Sequence, residues 1–177
     1  FNIVNNTFTY NDSGANYDAL ILLQDYSKEE SHQNFGSITL NIEKLSAPQD
    51  ITTLYYVYKN GTGVITTNQP VVKGDSSIEK FFVAKADDTY YKTLPEAVAA
   101  AQDGDTITLL KDCSSERVNL ESKSITIDLN GNTLTSTSAY GVMFCAKNGH
   151  KITVNGTKEG SKLVGTLMVT NGTDGHI

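Results

Sequence analysis

Two stretches of this chain repeat one another, and a repeat restricts the choice of fold more than composition does. Ile127-Asp128-Leu129-Asn130-Gly131 aligns with Ile152-Thr153-Val154-Asn155-Gly156, and the same step carries Ile152 to Ile177. The lead-ins match as well. Gly104-Asp105-Thr106-Ile107, Gly149-His150-Lys151-Ile152 and Gly175-His176-Ile177 each run from a glycine through polar residues to isoleucine. A period of roughly 20 to 45 residues is that of a solenoid, where each repeat touches only its neighbours and none buries its apolar face alone. Ile125, Ile127 and Leu129 alternate with Thr126 and Asp128, which gives each strand one buried and one wet face. Under this alignment Ile127 stacks on Ile152 and Asn130 on Asn155. The expected fold is all-β, a parallel β-helix.

A helix precedes these strands and carries its own boundaries. Thr93 and Glu96 have the spacing of a capping box, and Pro95 falls in the first turn, where its missing N–H costs nothing. Leu94, Ala97, Val98 and Ala101 share one face. Gly104 is placed for a left-handed residue after the helix end. So short a helix is marginal alone in water, so the 93–103 segment is expected to dock on the first strands and cover their open edge.

Several runs converge on a resemblance. They are the tyrosine pair Tyr90-Tyr91, the Thr-Leu-Pro-Glu-Ala-Val start of the helix, Gly-Asp-Thr-Ile-Thr-Leu-Leu-Lys-Asp over 104–112, and Ser-Ile-Thr-Ile-Asp-Leu-Asn-Gly-Asn-Thr-Leu over 124–134. Together they resemble the N-terminal start of right-handed, pectate-lyase-like β-helix regions in large bacterial cell-surface proteins. The likeness covers Tyr90 to about Gly156 closely and the remainder loosely. It implies a right-handed β-helix with a short capping helix, and an extracellular, cell-surface or cell-wall location. That family includes polysaccharide-degrading enzymes, adhesins and surface repeats, so it implies a fold without fixing an activity.

Composition bears on partners. The chain has 177 residues and a net charge of -6, with a pI near 5.0. This disfavours a general nucleic-acid or anionic-membrane surface. No apolar run approaches the roughly 20 residues of a membrane-spanning helix. The start at Phe1 and the stop within a repeat at Ile177 suggest a piece of a longer protein.

Residues 1–82 read as a separate β-rich region, with a boundary between about 73 and 83 at the linker-like Gly74-Asp75-Ser76-Ser77 and the β-helix over 83–177. Ala19–Leu23, Ser37–Glu43 and Thr53–Lys59 are strands by their β-branched and aromatic content. Asn5-Asn6-Thr7-Phe8 resembles corners of the same β-helix family. No fixed period is visible here. Two architectures fit, the closing rungs of a preceding β-helix or a small immunoglobulin-like sandwich.

Catalytic signals are sparse. Asp103 and Asp105 flank Gly104 and suit turn positions. Thr173-Asp174-Gly175-His176 is similar to fragments of polygalacturonase motifs, yet inverting hydrolysis needs paired carboxylates and no second pair is visible. His32 and His150 fall in polar loops, and the one arginine, Arg117, suits a surface contact. Cys113, placed in the loop after Leu110, and Cys145, within an apolar strand, make no metal framework and read as idle thiols or a disulfide. Neither a metal nor another cofactor is expected.

The binding candidates are tyrosines. Leu54-Tyr55-Tyr56-Val57-Tyr58 sets Tyr56 and Tyr58 on one face and Tyr55 on the other. A solvated tyrosine face can stack on sugars while the phenols hydrogen-bond. Asn-x-Ser/Thr sequons occur at Asn5, Asn11, Asn60, Asn155 and Asn171, three of them in Asn-Gly turns. The expected function is a non-catalytic stalk or adhesin segment that contacts carbohydrate or a host or cell-surface protein. The alternatives are the start of a polysaccharide lyase or glycoside hydrolase with active rungs beyond 177, and a glycan-binding module built on the tyrosines.

Overall fold

The computed structural model describes residues 2–4, 19–25, 37–39, 41–49, 51–59, 64–66, 70–139 and 141–169. These form an all-β chain with one short α-helix and one 3₁₀ helix. No helix among them is long and apolar enough to cross a membrane. The chain divides into two units, Phe1–Phe81 and Phe82–Ile177.

The first unit contains β1 (Asn2–Val4), β2 (Ala19–Asp25), β3 (Ser37–Thr39), β4 (Asn41–Glu43), β5 (Thr53–Lys59), β6 (Val64–Thr66) and β7 (Val71–Val72). Each strand pairs in parallel with the strand three places further on: β1 with β4, β4 with β7, β2 with β5, and β3 with β6. The steps are unequal. Asn2 pairs with Asn41, whereas Ser37 pairs with the much nearer Val64. Parallel pairing needs a connection, and connections of unequal length erase any fixed period in the sequence. The Gly74–Ser77 stretch differs from a linker. Asp75 accepts from Ser77 N at 2.9 Å and, through its carbonyl, from Ile78 N at 3.2 Å. This starts the 3₁₀ helix Ser76–Phe81, in which Ile78 and Phe81 are buried. Burial of those two apolar side chains is what turns a polar, glycine-led run into ordered structure.

The second unit opens with a hairpin. Strands β8 (Ala84–Ala86) and β9 (Thr89–Tyr91) pair antiparallel around Asp87-Asp88, with Asp87 at φ 48°. Helix α1 (Leu94–Ala100) follows with both arms of its capping box formed. It buries Leu94, Ala97 and Val98. Its end differs from the expectation. Ala101 is the C-cap with extended backbone, and Gly104 (φ 88°) serves the next turn, whose Asp105 N donates to Gln102 O. Lys123 takes over the terminus, its Nζ donating to the carbonyls of Ala99 at 3.1 Å and Ala101 at 2.7 Å, and to that of Val98.

The described strands that complete this unit are β10 (Thr106–Leu109), β11 (Cys113–Ser115), β12 (Val118–Leu120), β13 (Ile125–Asp128), β14 (Thr133–Ser136), β15 (Val142–Ala146), β16 (Ile152–Asn155), β17 (Lys162–Val164) and β18 (Thr166–Val169). They make three parallel ladders, β10–β13–β16, β11–β14–β17 and β12–β15–β18. Cys113 is thus in a strand, where the sequence suggested a loop. The pairing register corrects the stacking read from the sequence. Ile125 faces Ile152 and Ile127 faces Val154, so neither Ile127–Ile152 nor Asn130–Asn155 is a pair. A slip by one full pleat period keeps every side chain on its own face. An alignment by hydrophobic alternation therefore cannot tell the two registers apart. Ile107 and Ile127 pair and are fully buried. Around them lie Leu94, Leu109, Leu120, Ile125, Leu134 and Phe144 in one core.

Asparagine and aspartate fasten strand to strand at the turns. Asn130 (φ 48°) and Gly131 (φ 88°) make a left-handed pair closed by Asn132 N on Leu129 O at 2.8 Å. The side chains of Asn130 and Asn132 both donate to Leu109 O, at 2.9 and 3.2 Å. Asp103 accepts from Ser124 N and Asp112 from Thr133 N, each at 2.7 Å.

Candidate ligand-binding surfaces

Strand β5 positions the tyrosines. Its pairing sets Tyr55 beside Ile21 and Tyr56 beside Leu22. Ile21 is buried, and Tyr55 lies on the same side, half-buried. Burial pushes its phenol up to about 12, as expected for a group whose charged form loses water. Tyr56 is 40% exposed. Tyr58 pairs with Gln24 through the backbone, and its side chain lies outside the described residues. Tyr55 and Tyr56 therefore occupy opposite faces and do not form one platform.

A second surface was not legible in the sequence. Glu116, Arg117, Asn119, Thr137, Ser138 and Ala139 line a depression of about 490 Å³, within the size range of small-ligand sites. The first three come from the β11–β12 turn and β12, and the others from the loop after β14. Thr137 N donates to Ser115 O at 2.9 Å and holds that loop against the preceding strand. All of these side chains except Ala139 can donate or accept hydrogen bonds. No motif marks them, because Arg117 and Thr137 lie far apart in the chain and are brought together only by pairing.

The acidic candidates are structural. Asp105 accepts from Gln102 N at 2.6 Å, and Asp103 is held by Ser124 N. Both carboxylates are thus committed to backbone N–H groups, Asp105 within its own turn and Asp103 on the segment that leads into β13. Among the described residues no cluster of His, Cys, Asp and Glu could hold a metal ion. His150 closes a turn, its N donating to Lys147 O at 3.0 Å. His32 and the Thr173–His176 run lie outside the described residues. Cys113 and Cys145 are both unbridged, with Cys145 buried. Burial first, then Asp112, raises the Cys113 thiol, the wrong direction for a nucleophile. Glu121 and Lys147 form an exposed ion pair at 2.9 Å that lowers the one pKa and raises the other, mainly through their hydrogen bond.

No protein family, curated protein or solved structure matches this chain.

Proposed function

We propose that this chain is a segment of a right-handed parallel β-helix from a bacterial cell-surface protein, acting as a non-catalytic stalk or adhesin. What carries the reading is the repeated pairing of every third strand in parallel, with apolar columns such as Ile107–Ile127–Val154 on the inner side. Stacked coils leave their outer faces free to vary, which suits display and contact better than it suits a single deep site. The same pairing rule in residues 2–72 favours closing rungs of a β-helix there, since an immunoglobulin-like sandwich is built from antiparallel strands. The proposed location is extracellular, at the cell surface or wall. The proposed partners are carbohydrate or a host or cell-surface protein, met through Tyr56 or through the depression around Arg117. The acidic turn residues support a non-catalytic role, since Asp103 and Asp105 are committed to backbone N–H groups.

Two measurements test this. The double variant Thr126→Cys, Thr153→Cys places thiols at register partners in adjacent strands, within the range a disulfide spans. Oxidation should link them, and failure to link would remove the stacked-coil basis. Incubation with a panel of plant and microbial polysaccharides should release no new reducing ends or unsaturated products. Turnover of any of them would replace the scaffold with the enzyme reading.

A further inference from the structure

The Asn-Gly pairs within the described residues are Asn130-Gly131, Asn148-Gly149 and Asn155-Gly156, and the structure treats them differently. In Asn-Gly sequences the glycine nitrogen can attack the asparagine side-chain carbonyl, because glycine offers no side chain to block the approach. At Asn130-Gly131 both reacting groups are occupied. The carboxamide donates to Leu109 O at 2.9 Å, and Gly131 N donates to Ser161 Oγ at 2.9 Å. At Asn148-Gly149 the carboxamide is held on Glu121 O at 3.1 Å. At Asn155-Gly156 both residues are exposed, and among the described residues neither the carboxamide nor Gly156 N has a hydrogen-bond partner.

We propose that Asn155 is a self-modification site, converting to aspartate and isoaspartate ahead of the other two. Gly156 N loses its proton and bonds to Asn155 Cγ, the Cγ–Nδ2 bond breaks, and ammonia leaves with the proton. Water then opens the cyclic imide at either carbonyl. Only water is consumed, and no oxidant or cofactor is needed. The product matters because of the register. Residue 155 faces Asp128 in the neighbouring strand, and Asp128 already accepts from Thr157 Oγ1 at 2.8 and 2.9 Å. A new carboxylate there sets like charges side by side on one face, which weakens strand pairing. Isoaspartate adds a backbone carbon and breaks the register of β16. The reaction also removes the Asn155-Gly156-Thr157 sequon, and a glycan on Asn155 would in turn block it.

The test is peptide mapping of the full chain after incubation at mildly alkaline pH, folded and in denaturant. In denaturant the three sites should react at comparable rates. In the folded chain Asn155 should exceed Asn130 and Asn148 by about fivefold or more, the factor of one hydrogen bond of ordinary net strength. Equal rates at Asn155 and Asn130, or a faster Asn148, would overturn the assignment. Gly156→Ala is a poor control, since its Cβ would stand 2.7 Å from Ser161 Cβ. Asn155→Gln keeps the amide and should abolish the new acidic species in the peptide that carries residue 155, whereas its persistence in that peptide would place the reaction at another residue.

Discussion

Lys92 holds a charge in poorly hydrated surroundings. Its ammonium stands 4.7 Å from the centroid of the Phe82 ring. Burial first, then Lys111, brings its pKa from 10.5 down to about 8, with Glu96 acting in the opposite direction. Between those two values the unfolded chain binds more protons than the folded one, so stability rises with pH across that window. The relief is complete above the unfolded value and is lost as pH falls to about 8. The midpoint of thermal unfolding should therefore rise from pH 8 to 10.5 in the wild type relative to Lys92→Met. Parallel curves would show that the ammonium is as well solvated folded as unfolded. Tyr55 works in the other direction. Its raised phenol gives stability that is full below pH 10 and lost as pH climbs towards about 12. Gly131 shows a residue choice fixed by backbone geometry. Its φ is 88°, and Glu159 O lies 3.3 Å from where a Cβ would stand, so Gly131→Ala should cost about 1–2 kcal/mol in chemical denaturation.

At the scale of elements, α1 separates what is local from what is not. Thr93, Pro95 and Glu96 announce its start because a capping box is written within a single turn, and the structure forms it. Its end is set by Lys123, whose Nζ reaches the free carbonyls of the last turn from beyond β12 in the chain. Nothing near residue 100 hints at this. Thr93→Ala should lower stability by about 1 kcal/mol. Lys123→Met should cost about 1–3 kcal/mol, since it removes a charge and its hydrogen bonds from the negative end of the helix. A Lys123→Met chain as stable as the wild type in denaturant titration would mean that water replaces the ammonium at no cost.

For the molecule as a whole, the inward columns hold the second unit together. Ile127 is fully buried, while its neighbour Thr126, on the other face of the strand, is only half-buried. Ile127→Ala should cost about 2–5 kcal/mol from lost burial and the cavity left behind, and Thr126→Ala no more than about 1 kcal/mol, the span of strand propensity. Comparable losses at both positions, measured by denaturant midpoints, would mean the faces are assigned the wrong way round. The proposed partners depend on this inner and outer division, because Tyr56 is exposed and so are Glu116, Arg117 and Asn119 at the depression.

Strand faces, the helix start and the all-β character are written locally in the sequence. They follow from near neighbours: Ile125 and Ile127 alternating with Thr126 and Asp128, or Thr93 standing one turn before Glu96. Which strand meets which, and in what register, emerges only on folding. The pairing of Ile125 with Ile152, the unequal steps of the first unit, the Lys123 cap and the depression around Arg117 all depend on contacts between distant positions. Hydrophobic alternation repeats with the pleat, so it settles a face yet leaves sliding by one pleat period undecided. Turn lengths and the side chains that hydrogen-bond across neighbouring strands remove that freedom.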